Sequence, residues 1–331
     1  MRRVIKIKKV TKVGLTGVSA GLGLGKYQAV KEQRSLRSLL LEKLLPYIPA
    51  VPEIKTDQDY QKALEKSKKG YQLPKSVASL YHVHYFQGQQ DILEMRPAIK
   101  SSEDKVVFYV HGGGYWGQPT VAHFNAIHRL AKQLGSRVII PIYPKAPAYE
   151  ADDAYEMILK SYLSLLNDQQ IDNAKITFMG DSAGAGLILA LLQRLRDNHL
   201  PLPHQAFLLS PWLDITNSNP KMAEIQPLDP MLDLPNLTLL GKYYAGDLNP
   251  KDSLVSPIYG DSAKLPPIYV FTGDHDILNA DAMKFQQMAD EKDWHVTTFK
   301  YHAMNHVFSI FPTPEGIDSL NRITQIIQAN D

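Results

Sequence analysis

From about residue 105 the apolar positions fall into two alternating rhythms. Val106 to Val110 is a short continuous apolar run, Val138, Ile139, Ile140 and Ile142 give another strand, and Ile176 to Met179 a short one. Such runs suit strands buried on both faces. Ala206 to Leu209 and Ile268 to Thr272 give the next strands, and Val296 to Tyr301 the last. Between them the spacing turns helical. Phe124, Ile127, Leu130, Ala131 and Leu134 recur on one face, and Gly135 stops the helix. Tyr155, Ile158, Leu159, Tyr162, Leu165 and Leu166 give a second stripe, and Gly186 to Leu195 is apolar nearly all round. The chain ends in a helix that Thr313 can cap, with Pro314 at its first position. Strands alternating with helices predict an α/β fold with a mainly parallel sheet covered on both faces, and ligands at the carboxyl ends of its strands.

Two stretches break the rhythm. Residues 27–70 are polar around apolar clusters such as Leu39 to Leu41, and read as helices. Residues 214–255 carry many prolines, then Leu237, Leu239, Leu240, Tyr243 and Tyr244 at helical spacing; this reads as an inserted lid, joined by the N-terminal helices.

Composition narrows the chemistry. The 331 residues hold no cysteine, which excludes disulfides, thiolate metal sites and cysteine nucleophiles. A net charge of +2 gives no overall pull toward nucleic acid. Arg2, Arg3, Lys6, Lys8, Lys9 and Lys12 precede a Gly-rich, weakly apolar stretch too short to span a bilayer. That start reads as a flexible terminus of a cytoplasmic protein. The alternative is an export signal or surface anchor.

The candidate chemistry begins at Gly180-Asp181-Ser182-Ala183-Gly184, a G-x-S-x-G pattern with a strand before it and an apolar helix after it. A serine on so tight a turn presents its Oγ, and the flanking glycines leave room for neighbouring backbone. His111-Gly112-Gly113-Gly114 follows the strand ending at Val110. Glycines there expose backbone N–H donors, which can hold the oxyanion of a tetrahedral intermediate. The residues of a phosphate loop are missing. His111 is expected to organise this loop, because the base should follow the acid in the chain.

With these motifs the sequence resembles the hormone-sensitive-lipase-like branch of the α/β-hydrolases, over roughly residues 105–310. Tyr143-Pro144-Lys145-Ala146-Pro147, Ser210-Pro211-Trp212-Leu213-Asp214 and Ser256-Pro257 before Leu265-Pro266-Pro267 resemble further segments of that family. The resemblance implies an α/β-hydrolase domain over 71–331, with a cap built from an insertion near 215–250 and the helical region 1–70. It also implies oxyanion donors at Gly113, a neighbouring glycine (Gly112 or Gly114) and Ala183.

The acid and base are sought in two loops. One is Gly273-Asp274-His275-Asp276-Ile277-Leu278; the other runs from His302 to Phe308. Asp276-Ile277-Leu278 resembles the family's Asp-Pro-Leu, and His306-Val307-Phe308 its His-Gly-Phe, with Ile277 and Val307 as departures. The expectation is a serine carboxylesterase acting on short-to-medium acyl esters through Ser182, Asp276 and His306. It needs no cofactor and no metal. Its partner is a small-molecule ester; oligomeric state stays open. Tyr115, Trp116, Trp212 and Phe308 are expected to line an acyl pocket or to pack the core. Two rival readings stand beside it: a non-catalytic small-ligand binder on the same fold, and an amidase or peptidase using the same triad.

Overall fold

The computed structural model describes residues 23–48, 51–78, 83–86, 92–96, 105–167 and 171–330. The basic start at 2–12 lies outside the described residues. An eight-stranded sheet forms the centre, in the order β1-β2-β4-β3-β5-β6-β7-β8. Six strands are parallel: β3 (Val106–Val110), β4 (Arg137–Pro141), β5 (Ile176–Asp181), β6 (Gln205–Leu209), β7 (Ile268–His275) and β8 (Val296–Asn305). They are the six that the apolar runs predict.

The strands β1 (Val83–Phe86) and β2 (Ile92–Met95) pair antiparallel at one edge and escape the sequence pattern. Each has four residues, and β2 carries Glu94 at a fully buried position. Arg96 Nε and Arg137 Nη1 meet that carboxylate at 3.0 and 3.1 Å. A charge inside an apolar run hides the strand, and only the partner arginines make it tolerable.

Strand β3 shows how the sheet divides the core. Val106, Phe108 and Val110 face the cluster built with α6 (Ala151–Asn167), α7 (Ala183–Asp197) and α10 (Asn279–Lys292). Val107 and Tyr109 face the other cluster, with α5 (Val121–Leu134) and α11 (Pro314–Ala329). Their caps are legible in the sequence: Gly135 at φ 64° ends α5, and the Thr313 side chain accepts the Gly316 N–H to start α11.

The N-terminal part forms α1 (residues 23–31), α2 (Leu36–Leu44), α3 (Asp57–Ser67) and the single turn α4 (Lys75–Ala78). The segment 214–255 forms α8 (Lys221–Ile225) and α9 (Leu234–Ala245). These two regions touch. Asn236 Oδ1 accepts the Ile54 N–H at 3.2 Å, its Nδ2 donates to Pro52 O at 3.0 Å, and Tyr60 packs on Tyr243.

Candidate active site

Ser182 sits between β5 and α7 at φ 53° and ψ −122°, a conformation that L-residues rarely adopt. Its neighbours explain how the chain tolerates it. A Cβ on Gly184 would stand 2.1 Å from Val110 O, and one on Gly180 2.7 Å from Gly184 O. Only glycine at both positions lets the turn close against the end of β3.

The Ser182 Oγ lies 2.9 Å from His306 Nε2, and His306 Nδ1 lies 2.9 Å from Asp276 Oδ2. All three residues are buried. The second Asp276 oxygen accepts the Leu278 N–H at 2.9 Å. Burial alone would lower the His306 imidazole. The Asp276 carboxylate, with Asp229 and Asp181 further off, outweighs burial and raises it above its ordinary value.

The rival groups go elsewhere. Asp274 accepts the Ala303 N–H at 2.5 Å and meets the exposed His302 at 2.9 Å. His275 Nδ1 meets Glu42 at 3.1 Å. His111 is fully buried, its Nδ1–H donating to Gly112 O at 2.6 Å and its ring stacked on Tyr143. Burial, then the nearby Lys145 and His123, hold it well below the ordinary histidine range, so it stays neutral.

The glycine loop separates its amides. Gly112 N–H donates to Asp181 Oδ1 at 3.0 Å and is thereby engaged, a correction to its place among the expected oxyanion donors. Among the described residues no acceptor meets the N–H groups of Gly113, Gly114 or Ala183. Gly113 at φ 117° and Gly114 at φ 63° need the freedom of glycine.

Asp181, unassigned by sequence reasoning, ties the glycine loop to the serine turn. Its Oδ1 also accepts the Tyr109 hydroxyl at 2.7 Å, and its Oδ2 meets His123 Nε2 at 3.1 Å. Thr120 N–H donates to His123 Nδ1, so the ring proton is on Nε2 and points at Asp181. Burial would raise this carboxyl; His123, Tyr109 and the Gly112 amide outweigh it and hold it below its usual value. Its place inside the Gly-x-Ser motif was the available signal.

Two further groups were missed because they come from distant sequence. Asp229 accepts Met231 and Leu232 N–H through Oδ1 and the Ile277 N–H through Oδ2, all at 2.8–2.9 Å. Burial, then the Asp276 charge, push its carboxyl up to about 6. From the N-terminal helices, Arg34 donates to Ala303 O at 3.0 Å and pairs with Glu42, which meets His275. Both loops that carry the Asp276–His306 pair are therefore braced from outside the sheet.

The aromatic residues expected at an acyl pocket lie in packed seams. Tyr115 stacks between Trp212 and Tyr244, at 5.2 and 3.5 Å between ring centroids. Trp116 Nε1–H donates to Leu240 O at 3.2 Å. All three fasten α9 to the loop after β3 and the segment after β6. Phe308 is buried against Tyr301.

A family model described as the alpha/beta hydrolase fold matches residues 107–310. The chain is 31% identical over 224 residues to an acetyl-hydrolase of Streptomyces hygroscopicus, covering 67% of this chain and 74% of that protein. It is 32% identical over 235 residues to an esterase of Acinetobacter venetianus, covering 70% and 77%. Among solved structures it is similar to an esterase from the bacterial hormone-sensitive lipase family, with a TM-score of 0.77, 26% identity, and coverage of 90% of this chain and 99% of that one. It is also similar to EstE5 soaked with p-nitrophenyl butyrate, with a TM-score of 0.75, 25% identity, and coverage of 88% and 97%.

Proposed function

The chain belongs to the alpha/beta hydrolase fold family, in its hormone-sensitive-lipase-like branch, and on that footing we propose that it is a serine carboxylesterase. The observation that carries the reading is the relay from Ser182 Oγ through His306 to Asp276, 2.9 Å at each step, beside three unclaimed backbone amides. His306 Nε2 takes the Ser182 proton as Oγ attacks the ester carbonyl. The amides of Gly113, Gly114 and Ala183 hold the oxyanion, and Asp276 keeps the imidazole proton on Nδ1 and stabilises the imidazolium. His306 then gives its proton to the leaving alcohol. Water, deprotonated by the same imidazole, releases the acid from the acyl-enzyme.

Short-to-medium acyl groups fit best. In this reading the N-terminal helices and the 214–255 insertion, the latter fastened through Trp116, Tyr115 and Trp212, roof the acyl site as a cap, which favours a bounded acyl chain over an open lipid surface. The relatives are in keeping with this: one is an acetyl-hydrolase, and EstE5 was soaked with a short acyl ester. Initial rates on p-nitrophenyl esters from acetyl to palmitoyl test the reading. The expected optimum lies at the short-to-medium end; greatest kcat/KM on palmitate overturns the chain-length assignment. A matching series of p-nitroanilides separates ester from amide preference.

A further inference from the structure

The N-terminal helices differ in surface from the rest of the molecule. Eleven large apolar side chains are exposed among the described residues, and seven lie between residues 24 and 48. On α1, Leu24, Tyr27 and Val30 look outward, opposite the buried Gly25 and Ala29 that pack toward α2. On α2, Leu40 and Leu44 look outward, and Tyr47 follows. Lys26, Lys31, Arg37 and Lys43 are exposed among them, and Lys43 bridges the two helices through Gln28 at 3.1 Å.

Charge is as unevenly spread. Residues 1–48 hold eleven Lys and Arg against two Asp and Glu, a net +9 in a chain whose total is +2. Those two acids, Glu32 and Glu42, both turn onto the buried Arg34, which leaves the outward charge basic. Among the described residues no helix is long and apolar enough to cross a membrane.

We propose that α1 and α2 form a docking face for an anionic phospholipid surface. Apolar side chains ringed by lysine and arginine suit the interface plane, where the rings and chains enter the acyl boundary and the cations meet headgroups. Neither signal alone holds a protein well, and here the two coincide. A second copy of the chain fits poorly, because it would set basic face against basic face. Nucleic acid would answer the charge but leave the apolar side chains in water. The basic residues at 2–12 carry the same sign of charge as this face and add to its attraction for an anionic surface. Docking places lipid beside the acid–base loops, since α2 reaches His275 through Glu42.

The test is sedimentation of the full chain with two vesicle types: phosphatidylcholine alone, and phosphatidylcholine with about 30 mol% phosphatidylglycerol. The anionic vesicles are expected to bind at least about tenfold more protein, and about 0.5 M salt to release most of it. Tyr27→Ser with Leu44→Ser is expected to cut binding several-fold while hydrolysis of a soluble acetyl ester stays at the wild-type rate. Equal binding to both vesicle types, no binding to either, or anionic binding unchanged in the double variant overturns the proposal. So does a wild-type dimer in analytical ultracentrifugation that the double variant turns to monomer, because a second copy then covers the face.

Discussion

The two sides of the site are built by different means. The Ser182 side is supported from within the sheet: glycines close the turn on β3, and Asp181 binds Tyr109, the Gly112 amide and His123. The Asp276–His306 side stands on loops after β7 and β8 and draws support from remote sequence. Asp229 reaches it from the insertion, Arg34 and Glu42 from the N-terminal helices. Close backbone packing and one buried carboxylate hub hold the first side in place; separate polar contacts from distant segments hold the other. Substitutions on the first side should act as a unit, and those on the second should be graded.

The sharpest break is Ser182→Ala. It removes the nucleophile and few contacts, so kcat should fall by about 10⁴- to 10⁶-fold with the melting temperature nearly unchanged. Activity within tenfold of wild type would reject the nucleophile. Next in size is Asp276→Asn, which favours the wrong imidazole tautomer and should lower kcat by about 10⁴-fold. Asp274→Asn, which loses a carboxylate bound to Ala303 and His302, should keep most of its turnover and lose stability instead. If the two variants exchange phenotypes, the acid is Asp274.

Asp181→Asn probes the supported side. An amide cannot satisfy Tyr109, Gly112 and His123 together, because its N–H would face the His123 N–H. We expect kcat to drop by about 10- to 100-fold as the glycine loop shifts, with roughly 1–3 kcal/mol of stability lost. Wild-type kcat in a folded variant would show that the loop holds itself.

The smallest effect tests the graded side through pH. Neutral His306 is the working base, and its raised value puts the half-maximal rate above about pH 6.5. Asp229→Asn removes a negative charge that favours the imidazolium. The acidic limb of kcat/KM should therefore move to lower pH, with kcat on the plateau changed by less than about tenfold. A limb that stays put, or moves upward, contradicts electrostatic coupling between the insertion and the base.

The same division explains what sequence reading could reach. Six parallel strands, the serine turn and the glycine loop are local patterns, each written in consecutive residues. The strand β2 escapes the pattern because Glu94 interrupts it; Arg96 directly follows the strand, but the second partner, Arg137, comes from β4. That Gly112 spends its amide on Asp181 depends on a contact 69 residues apart. Arg34, Glu42 and Asp229 carry no motif; only folding brings them to the acid and base. For Tyr115, Trp116, Trp212 and Phe308 the sequence does not say whether a ring lines a cavity or closes a seam.

That seam carries its own optical label. Of the three tryptophans, Trp116 and Trp212 lie where α9 meets the loops around Ser182. Trp294, ahead of β8 and beside Phe285, sits at the opposite end of the strand from His306. Two of the three intrinsic fluorophores therefore sit at the seam between α9 and the loops around Ser182, and the third stands apart from it. A Trp294→Phe protein would keep only the two tryptophans of that seam, without any attached dye.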